Sequence, residues 1–171
     1  MKPIFLIGYM GTGKTTYGRM LAKDFNMIFL DLDDYIESNQ GKSIVQIFDS
    51  EGEDGFRKIE NESLLEVSQL TDVIIATGGG TPCFFNNMDV MNRVGVTIFL
   101  NSSVPLLCEN LKEGLTKRPL LAGKTPEELR SFITEGLNKR MTFYEKSKVI
   151  VNEPTYDKLF EIFKKIQRNS I

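Results

Sequence analysis

Residues Gly8-Tyr9-Met10-Gly11-Thr12-Gly13-Lys14-Thr15 satisfy the pattern G-x-x-x-x-G-K-[ST] at every fixed position. This pattern constrains the fold because it works only between a strand and a helix. The glycines let the backbone wrap with its N–H groups pointing inward, and the following helix aims its positive end at the same point. The flanking sequence meets both demands. Ile4 to Ile7 is an apolar run that reads as a buried strand, and Tyr17, Met20, Leu21 and Phe25 recur at helical spacing behind the motif. The arrangement predicts a phosphate cradle for a nucleotide formed by Gly11, Thr12, Gly13, Lys14, Thr15 and Thr16. Lys14 would neutralise the β- and γ-phosphates of ATP and the Thr15 hydroxyl would ligate Mg²⁺.

A cradle of this kind belongs to α/β folds, and the rest of the chain agrees. Further runs that read as buried strands occur at Met27 to Leu30, Val73 to Ala76, Val96 to Leu100 and Val149 to Val151. Helical patterns fill the intervals, at about 13–25, 34–39, 43–50, 53–70, 86–94, 104–113, 126–145 and 156–168. Strands separated by helices imply parallel crossovers and a doubly wound sheet covered on both faces. Thr125-Pro126-Glu127-Glu128 orders a capping threonine, a proline at the first helical position and a capping-box glutamate. The polar stretch of about 111–124 before it, carrying Lys117 and Arg118, then reads as a long connection of the kind that forms a lid. With 171 residues the chain fits one domain, 1–171.

Composition removes several classes of function. A formal charge of −2 provides no general basic field for nucleic acid or an anionic membrane. There is no histidine, and Cys83 and Cys108 lack metal-ligand spacing, which excludes Cys/His zinc sites and Cys/His nucleophile pairs. A general base at neutral pH must then be a carboxylate or a lysine. The opening apolar run is too short for a signal segment or a membrane span, so a cytoplasmic protein is expected.

Candidate groups for an acceptor substrate lie at the carboxyl ends of the next strands, where ligands gather in parallel sheets. Asp31-Leu32-Asp33-Asp34 follows the second strand. Asp31 is placed to hold Mg²⁺ through water. Asp33 either accepts a proton from an acceptor hydroxyl or shares with Asp34 the task of capping the helix expected from Tyr35. Gly78-Gly79-Gly80 ends the third strand and either offers exposed N–H groups to substrate oxygens or forms a plain tight turn. On the helical wheel of 126–145, Arg140 falls within about 20° of Leu129 and Ile133, near the centre of an apolar stripe. A guanidinium in that register needs an anionic partner, a ligand or an internal carboxylate. In the helix of 53–70, Glu60 lies in a stripe with Phe56, Ile59, Leu64, Val67 and Leu70, and Arg57 flanks it. The two are three residues apart, so they form an ordinary helix pair or an arginine oriented toward an anionic substrate.

Taken together, Gly8 to Thr15, Phe29 to Asp33, Gly41-Lys42-Ser43-Ile44, Glu51-Gly52-Glu53, Phe56-Arg57 with Glu60, Gly78 to Gly80, Arg118-Pro119-Leu120-Leu121 and Arg140 with Tyr144 make the chain resemble the shikimate kinase family over nearly its whole length. The resemblance implies a three-layer α/β/α P-loop kinase fold with five parallel strands in the order 2-3-1-4-5, and a lid. It implies Mg²⁺-dependent transfer of the γ-phosphate of ATP to the 3-hydroxyl of shikimate, on the route to chorismate and the aromatic amino acids, by a monomer. By position, Asp33, Arg57, Gly79 and Arg140 would bind shikimate, and Arg118 would close onto the transferring phosphate. Val151-Asn152-Glu153-Pro154 resembles the segment beside adenine, which places Asn152 at the nucleotide. One stretch departs from the family: Glu109-Asn110-Leu111-Lys112 stands where further arginines are usual. The residues alone leave two other readings open, a kinase for another hydroxy acid such as gluconate and a nucleotide or metabolite sensor without turnover.

Overall fold

The computed structural model describes residues 1–112, 121 and 123–168. The five strands are β1 (Ile4–Ile7), β2 (Ile28–Asp31), β3 (Val73–Ala76), β4 (Val96–Asn101) and β5 (Val149–Asn152), all parallel, in the order β2-β3-β1-β4-β5. The helices are α1 (Lys14–Asp24), α2 (Leu32–Gln40), α3 (Ile44–Val67), α4 (Asn87–Val94), α5 (Val104–Lys112), α6 (Pro126–Tyr144) and α7 (Tyr156–Arg168), with a 3₁₀ turn over Thr81–Cys83. Among the described residues, no helix is long and apolar enough to cross a membrane.

Two apolar layers cover the sheet. Strand side chains alternate between faces, so Phe5, Ile7, Ile75 and Phe99 pack with the face built from α2 to α6. Ile4, Leu6, Ile74 and Ile98 pack with α1 and α7 through Leu21, Leu159 and Phe163. β1 and β3 are fully buried, as continuous apolar runs in a covered parallel sheet should be. The expectation of five buried strands fails at the edges. Ile28 on β2 is 62% exposed and Ile150 on β5 is 44% exposed, because each of these strands has a neighbour on one side only.

Local signals set the helix ends. Ser43 with Gln46 and Thr125 with Glu128 form complete capping boxes at the starts of α3 and α6. The two helical patterns expected at 43–50 and 53–70 meet in α3 through a break at Gly52 (φ 68°, ψ −178°). α2 starts earlier than expected. Asp31 caps it by accepting from the Asp33 N–H at 3.1 Å, and Asp33 and Asp34 fall in the first turn instead of at the cap. Leu70 lies beyond the end of α3 and is exposed, so it does not extend the apolar stripe. Of the expected lid, 113–120 and 122 lie outside the described residues, and Lys117 and Arg118 with them.

The β1 and β4 strands meet tightly at their entry. The Val96 N–H donates to the Pro3 carbonyl at 3.0 Å, and a Cβ on the preceding Gly95 would lie 2.3 Å from that same oxygen. Backbone cannot step aside as a side-chain tip can. Gly95→Ala is therefore expected to destabilise the fold by about 1–3 kcal/mol, read as a lower urea midpoint; an unchanged midpoint would contradict this packing.

Candidate active site

The carboxyl ends of β1, β2 and β3 open into one cleft of about 650 Å³. Gly11, Thr12, Gly13, Lys14, Thr15 and Thr16 line it from the first loop, Asp31 and Asp33 from the second, and Gly78 and Gly79 from the third. The crossovers thus bring three separate sequence signals to one place, as the sheet order requires.

On the phosphate side, Gly11 and Gly13 stand at φ +85° and +86°, a left-handed conformation that favours glycine. Gly13 flanks the first residue of α1, so the helix N-terminus points into the cleft. Lys14 Nζ donates to the Gly8 and Tyr9 carbonyls at 2.7 and 2.9 Å. The Thr12 hydroxyl donates to the Tyr9 carbonyl at 3.0 Å. The Thr15 hydroxyl donates to Asp31 Oδ2 at 2.8 Å, which brings an alcohol and a carboxylate oxygen to one point. Two hard oxygen donors so placed fit Mg²⁺, which binds one or two protein oxygens while keeping waters and phosphate ligands.

On the acceptor side a buried carboxylate organises the groups. Glu60 is 1% exposed; it accepts from Arg57 Nη1 at 2.9 Å and from the Thr81 hydroxyl at 2.6 Å. Asn87 fixes the 3₁₀ turn by donating to the Thr81 carbonyl at 2.9 Å, and Asn61 donates to Asn87 Oδ1 at 2.6 Å. Arg57 lies over the Phe84 ring at 4.0 Å and beside the Phe56 ring at 5.1 Å. Its Nε is buried with no acceptor among the described residues. The helix pair is therefore real, and the arginine keeps a donor beyond it.

Arg140 is half-buried, and its guanidinium sits 5.1 Å from the centroid of the Tyr9 ring. Among the described residues no carboxylate comes within 4.0 Å of it, so the internal ion pair that its register allowed is not made. Tyr144, one turn on, donates to the Gly79 carbonyl at 2.6 Å and ties α6 to the glycine run. In that run the side chains of the site come close to the glycine backbone. A Cβ on Gly79 would lie 3.2 Å from Arg140 Nη1, and one on Gly80 would lie 2.8 Å from Arg57 Nη2. On Gly78 it would meet Thr81 Oγ1, Asp33 Oδ1 and Glu60 Oε1 at 3.0–3.1 Å. The run also turns, since the Thr81 N–H donates to the Gly78 carbonyl at 3.2 Å.

Asp33 sits where the two sides meet. Burial pushes its carboxyl up from 3.8 to about 6, the neighbouring charges of Asp31 and Glu60 add to the effect, and Lys14 opposes it. Burial also raises the Tyr9 and Tyr144 hydroxyls, with Arg140 pulling each back. Cys83 is a free, half-buried thiol raised by burial.

Asn152 is not among the residues lining the cleft; its Oδ1 accepts from Asn101 at 2.8 Å at the ends of β4 and β5. Thr81 and Asn87 had no motif of their own, because their contacts are hydrogen bonds across the fold. Only the position of Thr81, directly after the glycines, hinted at one.

A folded-state carboxyl above its unfolded value favours the fold when protonated, so its cost appears as pH rises from 3.8 through about 6. Asp33→Asn should therefore stabilise the protein by about 2–3 kcal/mol at pH 8, with the difference vanishing below pH 4. Urea titrations across pH check this; a variant less stable than the parent at pH 8 would contradict it.

Comparison with known proteins agrees with this fold. The family model for shikimate kinase matches residues 10–169. Shikimate kinase of Phocaeicola vulgatus is 50% identical over 86% of this chain and 85% of its own length. A crystal structure of shikimate kinase from Bacteroides thetaiotaomicron superposes with a TM-score of 0.91 at 40% identity, covering 98% of both chains. That of Acinetobacter baumannii, in complex with shikimate, gives 0.87 at 31% identity, covering 100% of this chain and 96% of its own. With a family model matching nearly the whole chain, relatives at up to 50% identity and a shared fold, the chain belongs to the shikimate kinase family.

Proposed function

We propose that the protein transfers the γ-phosphate of ATP to the 3-hydroxyl of shikimate, giving shikimate 3-phosphate and ADP. The observation that supports an acid as acceptor is the convergence of Arg57 and Arg140 on Gly79 and Gly80, beside Asp33 and the phosphate loop. Arg57 keeps a buried donor without an acceptor, and Arg140 has no carboxylate partner among the described residues. Two such guanidiniums suit a carboxylate ligand.

In this reading Arg57, Arg140 and the backbone of Gly78, Gly79 and Gly80 hold shikimate by its carboxylate end, leaving its hydroxyls toward Asp33. Asp33 accepts the proton of the attacking hydroxyl as the new O–P bond forms and the bond from the γ-phosphorus to the β–γ bridging oxygen of ATP breaks. A carboxyl near 6 suits that role: it is ionised at neutral pH yet basic enough to take a proton. Gly11 to Thr16 hold the phosphates, and Lys14 turns from the loop carbonyls to their charge. Thr15 and Asp31 would hold Mg²⁺, which would supply charge neutralisation at the phosphates. Since α5 takes in residues 111 and 112 of the expected lid, Arg118 closes on the transferring group from the connection that follows α5, and Asn152 serves the adenine side; Arg118 is outside the described residues. The whole chain, 1–171, acts as one domain and as a cytoplasmic monomer.

An ADP-release assay over a panel of hydroxy acids tests the reading. Turnover with shikimate is expected. Turnover with gluconate but not shikimate would name a different acid, and binding without ADP release would make the protein a sensor. Arg140→Ala is expected to raise KM for shikimate by about 10- to 100-fold, the worth of a charge-assisted hydrogen bond, with little change in KM for ATP. Equal effects on both would assign Arg140 a purely structural role.

A further inference from the structure

The last turn of α5 packs against the crest of the phosphate loop, and two consecutive residues make the contact. Asn110 Nδ2 donates to the Gly11 carbonyl at 2.9 Å. A Cβ on Gly11 would lie 2.9 Å from Cγ of Leu111, which is fully buried. Residue 110 is thus engaged with the loop.

The consequence follows from peptide geometry. The Gly11 carbonyl and the Thr12 N–H belong to one trans peptide, so they point in opposite directions. With the carbonyl held outward by Asn110, the Thr12 N–H turns into the loop, where it donates to the Tyr9 carbonyl at 3.4 Å, a long bond that a phosphate oxygen can take over. That carbonyl also receives Lys14 Nζ and the Thr12 hydroxyl, so it marks the interior of the cradle. Gly11 itself does little to hold the peptide, since glycine allows both orientations. If the peptide turned over, a carbonyl lone pair would face phosphate oxygens in place of an N–H.

We propose that Asn110 is a positioning residue that locks the Gly11–Thr12 peptide with its N–H toward bound phosphate. The inference rests on residues 8–15 acting as the phosphate loop and is independent of which acid accepts the phosphoryl group.

The test measures binding of ADP, magnesium pyrophosphate and shikimate, each to the wild-type protein and to Asn110→Ala and Asn110→Asp, together with their melting temperatures. Aspartate keeps the size but cannot donate to a carbonyl. Both variants are expected to bind ADP and pyrophosphate about 3- to 10-fold more weakly, by the same factor for each ligand, as loss of one neutral hydrogen bond implies. Aspartate should be the weaker of the two because it adds a negative charge beside the cleft. Shikimate affinity and melting temperature should not move. Weaker ADP binding with unchanged pyrophosphate binding would mean that Asn110 touches the nucleoside and would overturn the proposal. So would no change for either ligand, or a parallel loss of shikimate affinity and melting temperature. Wild-type protein that binds neither ADP nor pyrophosphate would overturn the phosphate-loop reading and this inference with it.

Discussion

Glu60 is a carboxylate held out of water on α3, and the acceptor side of the cleft is arranged around its charge. Such a group is tolerated only when its oxygens are satisfied, here by Arg57 and Thr81. Removing one partner of a buried pair typically costs about 3–5 kcal/mol, so Arg57 is pinned by the need to neutralise Glu60. Thr81 is pinned from the other side and carries the glycine run with it. The same charge contributes to the raised carboxyl of Asp33. One buried anion therefore fixes an arginine, shapes a loop and helps to raise the carboxyl of Asp33.

The phosphate side depends on a different constraint. Its geometry comes from a buried strand, β1, that delivers a glycine-rich turn to the start of α1, with charge supplied by backbone N–H groups and Lys14. The two sides meet because β3 lies between β1 and β2 in the sheet, which sets Gly78 and Gly79 beside both the loop and Asp33. The glycines there keep space for the side chains of neighbouring elements. A Cβ at 79 or 80 would press on the guanidinium tips of Arg140 and Arg57, which would have to shift from their places in the cleft.

Much of this was legible in the sequence, because the signals were local or periodic. The β1 and β3 runs read directly, since interior strands of a parallel sheet are apolar throughout. The inward register of Arg140 followed from helical spacing alone. Errors arose where several residues compete for one job. Asp31, Asp33 and Asp34 can each cap a helix, and only the path of the chain out of β2 selects Asp31. Leu70 continued the periodicity of α3 past its end, because spacing carries no information about where the backbone turns. The chain Asn61–Asn87–Thr81 and the contact from Asn110 to Gly11 join residues 6 to 99 positions apart, and no pattern within either segment encodes them.

The claim that a buried anion helps to tune the proton acceptor is open to direct observation by a carbon-13 NMR titration of the Asp33 side-chain carboxyl in the parent protein and in Glu60→Gln. The account predicts a midpoint near 6 in the parent and a lower one in the variant, with burial keeping it above the ordinary 3.8. A parent midpoint near 3.8, or one that does not move when Glu60 loses its charge, would contradict it.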